Sequence, residues 1–290
     1  MKLTPGAPAM LASAMAFSVM SLLVKLAGER LPAAEIVFFR SVISLVLSYA
    51  HLRRTRRSPW GSQHGLLLLR GVLGFLALSC FFYAITELPL AEVTVIHYLN
   101  PVFTGVLAAI FLRERSGRLL GVSVATSLFG VILVTQPAVL FGHAADPLPG
   151  LPTLAALGGA VFGAAAYTVV RRLAGTEHPL VIVFYFPLVA VPASIPAFAS
   201  AAVMPNAVEW LLLLGVGIAT QVGQVALTRG LQLEPAGRAT ALSYSQVIFA
   251  TLWGGLVFGA WPGPLAIGGG ALVFAGTLLV AFRPATSKAD

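Results

Sequence analysis

Carboxylates are scarce in this chain, with ten among 290 residues against eighteen lysines and arginines, and charges of both signs reach only 10%. None of the acids falls midway along an apolar run. Glu87, Glu92 and Glu209 lie near one end of such runs and Glu234 near the other, so no buried carboxylate is placed to shuttle protons. Cys80 is the only cysteine, which excludes an internal disulfide, and its position inside an apolar run points to packing. His51, His64, His143 and His178 fall in loops or at helix ends, so no metal site is expected. There is no phosphate-cradling glycine loop, and Ser, Asp and His form no nucleophilic set. Neither an enzyme nor an ATP-driven pump has support, and no cofactor is expected.

What fills the chain instead is hydrocarbon. Apolar residues make up 58% and the mean hydropathy is +0.91, more than a soluble domain can bury, so the class is all-α membrane protein. A closed barrel would alternate apolar with polar residues, whereas these segments are apolar without interruption. Ten spans fit: 6–27, 33–51, 66–86, 90–112, 118–136, 150–172, 179–199, 208–230, 236–259 and 264–282. Each is near the length that crosses about 30 Å at about 1.5 Å per residue. The first is too long for a signal-peptide core and reads as a retained helix.

The net charge of +8 would suggest nucleic acid in a soluble protein, but its distribution argues otherwise. With a cytoplasmic N-terminus, the inner side receives Lys2, Arg53, Arg54, Arg56, Arg57, Arg70, Arg113, Arg115 and Arg118. Arg171, Arg172, Arg229, Arg238, Arg283 and Lys288 complete fifteen of the eighteen. Lys25, Arg30 and Arg40 remain near the outer side, where Glu29 and Glu35 could pair with them. Both termini are therefore expected in the cytoplasm, and the charge reads as a topology signal. The Arg53–Arg57 run could also touch anionic lipid.

The two halves repeat. Leu26-Ala27-Gly28 matches Leu173-Ala174-Gly175, and Pro89, Thr94, Tyr98 and Phe103 return 146 residues later as Pro235, Thr240, Tyr244 and Phe249. The repeats are 1–142 and 148–290. Five spans is an odd number, so the second copy enters from the opposite side. The architecture expected is two inverted five-helix repeats around a central cavity, with access exchanged by rocking.

Within the fourth span Thr94, His97, Asn100, Pro101 and Thr104 share a sector of about 120°, with Tyr98 on its flank. Thr240, Ser243, Gln246 and Tyr244 occupy the matching sector of the ninth. Asn100 and Gln246 each lie about 15 Å from opposite faces. These groups either line a wet cavity or hydrogen-bond between helices. Pro101 should loosen its span as a hinge or a static kink; position 247 is Val, so a hinge would have no counterpart. Gln221 and Gln224 lie on one stripe of the eighth span, with Phe75 and Phe82 at related positions of the third. An amide wall facing an aromatic wall would suit a polar head on an apolar or planar body. Arg40, seven residues into the second span, could hold a carboxylate, snorkel, or pair with Glu35. Tyr83, Tyr167 and Tyr185 are further aromatic candidates for the cavity, or interfacial anchors. Gly159-x-x-x-Gly163 and Gly255-x-x-x-Gly259 read as close-packing signatures.

The block FFYAITELPLAEVTVIHYLNPVFTGVLAAIFLRER, with two five-helix repeats covering nearly the whole chain, resembles the drug/metabolite transporter superfamily, specifically its ten-helix EamA-type members. Tyr98-Leu99-Asn100-Pro101 is similar to the Tyr-Leu-x-Pro segment of the aromatic amino acid exporters in that family, with Asn in place of a bulkier third residue. The resemblance implies a bacterial inner-membrane secondary transporter that exports amino acids, aromatic or hydrophobic ones favoured, or similar small metabolites. Its partners would be a small-molecule substrate and the bilayer, not nucleic acid, and a monomer is compatible. The alternative is a channel or a lipid translocator using the same cavity. The missing mid-span carboxylate favours facilitated diffusion or modest coupling through His97.

Overall fold

A computed structural model describes residues 3–114, 117–142 and 148–282, apart from the side chain of Leu90. Every regular element among them is a helix. They are α1 (Ala7–Ala27), α2 (Ala33–Arg54), α3 (His64–Glu87), α4 (Leu90–His97), α5 (Asn100–Phe111), α6 (Arg118–Thr135), α7 (Gly150–Arg172), α8 (Pro179–Ala201), α9 (Ala207–Leu233), α10 (Ala236–Leu242), α11 (Ser245–Phe258) and α12 (Pro264–Ala281). Ten spans are long and apolar enough to cross a bilayer, because α4 with α5 and α10 with α11 each act as one. The protein is a multi-pass membrane protein.

Local chemistry sets the ends. Pro falls in the first turn of α1, α5, α8 and α12, where its missing N–H costs nothing. Asn206 and Glu209 form a capping box at the start of α9, satisfying two donors at once. Gly259 closes α11 with φ 66°, a left-handed conformation that glycine adopts without strain. Helix α8 holds Pro187, Pro192 and Pro196 yet remains helical and largely buried. Pro187 is buried among its neighbours, whereas Pro192 and Pro196 are exposed.

The contacts obey an exchange rule. α6 packs on α12; α1 on α9 as α3 on α7; α2 on α9 as α3 on α8; and α5 on α7 as α1 on α11. Each pairing becomes its partner when the halves are swapped, as an inverted repeat requires. Small residues permit the close approach. A Cβ on Gly130 would stand 2.6 Å from the Gly269 carbonyl, and the Ser123 hydroxyl donates to the Gly276 carbonyl at 2.7 Å. Gly159 and Gly163 serve the same purpose, bringing α7 against Ala77 and Asn100. The Gly255–Gly259 pair does not. Gly255 makes room for the Trp261 ring and Gly259 ends its helix.

The buried carboxylates act as ties at the two faces. Glu234 accepts from the Gly6 N–H at 3.0 Å, Glu114 from Ala236 at 2.8 Å, and Glu35 from Val203 at 2.9 Å. Glu177, between α7 and α8, accepts from Ser62 N, Ser62 Oγ and Gln63 N at 2.6, 2.8 and 2.7 Å. Partial burial pushes that carboxyl up, but the hydrogen bonds outweigh burial and hold it below the usual range. Arg30 bonds Glu209 rather than Glu29 or Glu35, and Lys25 sits 4.1 Å over the Phe258 ring. Outward-facing side chains are the large apolar ones, such as Phe111 and Leu256, as lipid contact demands.

Candidate functional site

Two spans break at equivalent points, leaving Tyr98 and Leu99 between α4 and α5, and Ser243 and Tyr244 between α10 and α11. Pro101 explains the first break, since it cannot donate to the His97 carbonyl. The second needs no proline. The Ser243 and Ser245 hydroxyls donate to the Thr240 and Leu242 carbonyls at 2.6 and 2.7 Å, competing with the helical backbone for those acceptors. The sequence offers no second proline, since position 247 is Val, but the backbone break has a counterpart. The irregularity is duplicated by different chemistry.

The breaks meet. The Tyr244 hydroxyl donates to the Tyr98 backbone carbonyl at 2.8 Å, and the two rings stack with centroids 5.6 Å apart. One half therefore supplies a hydrogen bond to backbone exposed by the break in the other half. None of the described hydrogen bonds uses the Tyr98 hydroxyl, so the latch is one-sided.

Beside it lies a cavity of about 70 Å³ bordered by His97, Tyr98, Asn100, Pro101, Ser243 and Gln246. Ser13, Phe17 and Tyr167 close it. Space of this size admits a few waters, whereas sites for small ligands run to about 300 Å³ or more. The cavity as it stands is therefore too small for such a ligand; a separate groove of about 710 Å³ lies between α1, α2 and α9. Asn100 donates to the Ala160 carbonyl at 3.1 Å and accepts from Thr104 at 3.3 Å. The His97 imidazole, packed 4.7 Å from the Phe81 ring, and the Gln246 amide enter none of the described hydrogen bonds. Their polar ends remain available beside the cavity.

Other sequence candidates lie elsewhere. Tyr244 is fully buried behind Tyr98 and does not border the cavity. Gln221 does not border this cavity; its carbonyl accepts from Ser44 at 2.6 Å and Ser48 at 3.1 Å, and it borders the separate groove between α1, α2 and α9. These bonds join α2 to α9. Phe82 is half-buried and edge-on to Phe81 at 6.1 Å. Neither it nor Phe75 borders the cavity, whose aromatic side is Phe17 and Tyr167. Tyr83 is 41% exposed on the outer surface of α3, since it falls on the lipid-facing stripe. Tyr185 anchors a loop, donating to the Trp60 carbonyl at 2.8 Å.

Arg40 does not pair with Glu35, whose carboxylate is engaged by Val203. It is buried, and its guanidinium carbon lies 6.0 Å from the Phe186 ring centroid. Arg70 approaches the same ring at 5.3 Å and donates to the Gln224 side chain at 3.1 Å. The expected facing of the Gln224 amide and the Phe75 and Phe82 rings is not what forms; Gln224 and Phe186 instead meet through an arginine that the charge pattern had assigned to the inner surface. Its position six residues inside α3, roughly 9 Å deep, was the available signal. Tyr167 borders the cavity from α7, the helix that packs along α3.

A chain so built matches the EamA-like transporter family model twice, over residues 4–136 and 151–282. It is 37% identical over 258 residues to the pseudopaline exporter CntI of Pseudomonas aeruginosa, covering 89% of each chain. To human solute carrier family 35 member G1 it is 30% identical over 290 residues, covering 94% of this chain and 78% of that one. A solved crystal structure superposes with a TM-score of 0.77 over 92% of this chain at 19% identity, which establishes likeness of fold. The chain belongs to the EamA-like transporter family of the drug/metabolite transporter superfamily, whose members carry solutes across membranes rather than catalyse reactions.

Proposed function

We propose that this protein is a secondary carrier of a bacterial inner membrane, with both termini in the cytoplasm, exporting amino acids or similar small metabolites. The halves 1–142 and 148–290 would move against each other about the paired breaks, exposing the cavity to each side in turn. The observation that carries this reading is the closed cavity at the point where the two broken spans meet, with His97, Tyr98 and Gln246 offering uncommitted polar ends. The supporting relatives include one named as an exporter, and the outward direction rests on that likeness. His97, Tyr98, Asn100, Pro101, Ser243 and Gln246 would contact substrate. The aromatic surfaces of Phe17 and Tyr167 would face an apolar or planar body, as in an aromatic or hydrophobic amino acid.

Purified protein in liposomes preloaded with an amino acid panel supplies the test. A carrier gives saturable counterflow that is accelerated by substrate on the far side. Flux that rises linearly with concentration would instead support the channel reading, and no counterflow with any panel member would remove amino acids as cargo. With no carboxylate among the cavity's lining residues, we expect flux down the substrate gradient or modest proton coupling through His97. Strong drive by a pH gradient that survives His97→Ala would refute both.

A further inference from the structure

Arg40 and Arg70 come from different helices, are 7% and 2% exposed, and point at one aromatic ring. Neither forms an ion pair with any described carboxylate. Each leaves its Nε–H without an acceptor. Arg40 reaches only the Met20 sulfur at 3.9 Å, and Arg70 only the neutral Gln224 carbonyl. Glu35, Glu92, Glu114, Glu177, Glu209 and Glu234 are all engaged at helix starts or in ion pairs near the faces.

Two buried guanidinium groups without counter-charge are costly in a protein interior. They persist when a ligand supplies the missing anion. Gly74 makes room for the arrangement, because a Cβ there would meet the Phe186 ring at 2.8 Å and collide with the Arg70 guanidinium. Arg is suited to this task, since its planar fork matches a carboxylate through two parallel hydrogen bonds. The Phe186 ring, 6.0 Å from the Arg40 guanidinium and 5.3 Å from that of Arg70, offers a face to a carbon skeleton.

We propose that Arg40 and Arg70 form a paired anion subsite that selects a substrate carrying two carboxylates, one for each guanidinium, with Gln224 orienting Arg70. This rests on the carrier reading for its role in transport and replaces the aromatic or hydrophobic amino acid with a dicarboxylate as cargo, and binding can be tested separately. Arg70 lies on α3, which packs along α7, the helix that carries Tyr167 of the cavity wall.

The test is ligand-induced thermal stabilisation of the purified protein, with L-glutamate, L-aspartate and succinate set against L-leucine, L-phenylalanine, L-lysine, chloride and phosphate. We expect the dicarboxylates to bind most tightly. Arg40→Gln or Arg70→Gln should weaken them about 10- to 100-fold, the size expected for one charge-assisted contact. Each Arg→Lys variant should recover part of that loss. Gly74→Ala, which displaces Arg70 without removing its charge, should weaken dicarboxylates while leaving leucine binding within twofold. If neutral amino acids bind and dicarboxylates do not, the subsite is refuted while the carrier reading stands. Equal stabilisation by chloride or phosphate would reduce the site to an inorganic anion site and overturn the selection of substrate. Dicarboxylate binding without counterflow would keep the subsite and remove the carrier. Should the Gln variants fail to fold, the wild-type ranking and Gly74→Ala still decide.

Discussion

Removing one hydroxyl should loosen the closed form without disturbing its packing. Tyr244→Phe keeps the ring stacked 5.6 Å from Tyr98 but deletes the donor to the Tyr98 carbonyl. That carbonyl sits at a helix break and has no other described partner, so losing the hydroxyl costs about 1–3 kcal/mol. If the hydroxyl bonds only in the closed form, the balance between closed and open forms shifts by about 5- to 150-fold. The shift is measurable in a Cys80→Ala background, which removes the only native thiol, with Ser243→Cys as a reporter at the cavity wall. Labelling by a membrane-impermeant maleimide should accelerate by that factor when Tyr244→Phe is added. Tyr98→Phe is the control, because it removes a hydroxyl but leaves the accepting carbonyl in place; its labelling rate should stay near the parent's. A rate within twofold of the parent in Tyr244→Phe, or an equal acceleration in Tyr98→Phe, would refute the one-sided latch.

Other substitutions separate packing from transport. Gln221→Leu strands the Ser44 and Ser48 hydroxyls that meet the amide. It should lower stability by about 1–3 kcal/mol in denaturation while transport per folded molecule is retained; lost transport at unchanged stability would return Gln221 to the substrate site. Gly130→Ala forces a methyl toward a backbone oxygen only 2.6 Å away, and we expect about 1–3 kcal/mol of destabilisation between α6 and α12. An unchanged melting midpoint would show that this crossing has slack. Glu177 is held below its unfolded value of 4.5, so its contribution is fully present above that pH and fades as the pH falls through the lower folded value. The stability gap between wild type and Glu177→Gln should therefore be constant near neutrality and narrow below pH 4.5. A gap that widens on acidification contradicts the assignment.

Much of the architecture was written in one dimension. Uninterrupted apolar runs fix the ten spans, because a bilayer leaves the backbone only its own helix to bond with. The offset between Pro89 and Pro235 exposes the repeat, and an odd span count inverts it. The polar string at 97–101 and its echo at 243–246 marked where both spans break, since such groups are costly to place in hydrocarbon without a use. Partners were not legible. Gln221 and Gln224 sit three residues apart on one stripe, yet one accepts from serines 173 and 177 residues away while the other accepts from Arg70 across 154 residues. Periodicity reports which side chains share a face and is silent on what that face meets. Charge counting placed Arg70 with the surface arginines because topology rules weigh sign and position, not burial. Only the packing of α2, α3, α8 and α9 brought two arginines to Phe186, and only the meeting of two breaks gave Tyr244 a carbonyl to hold.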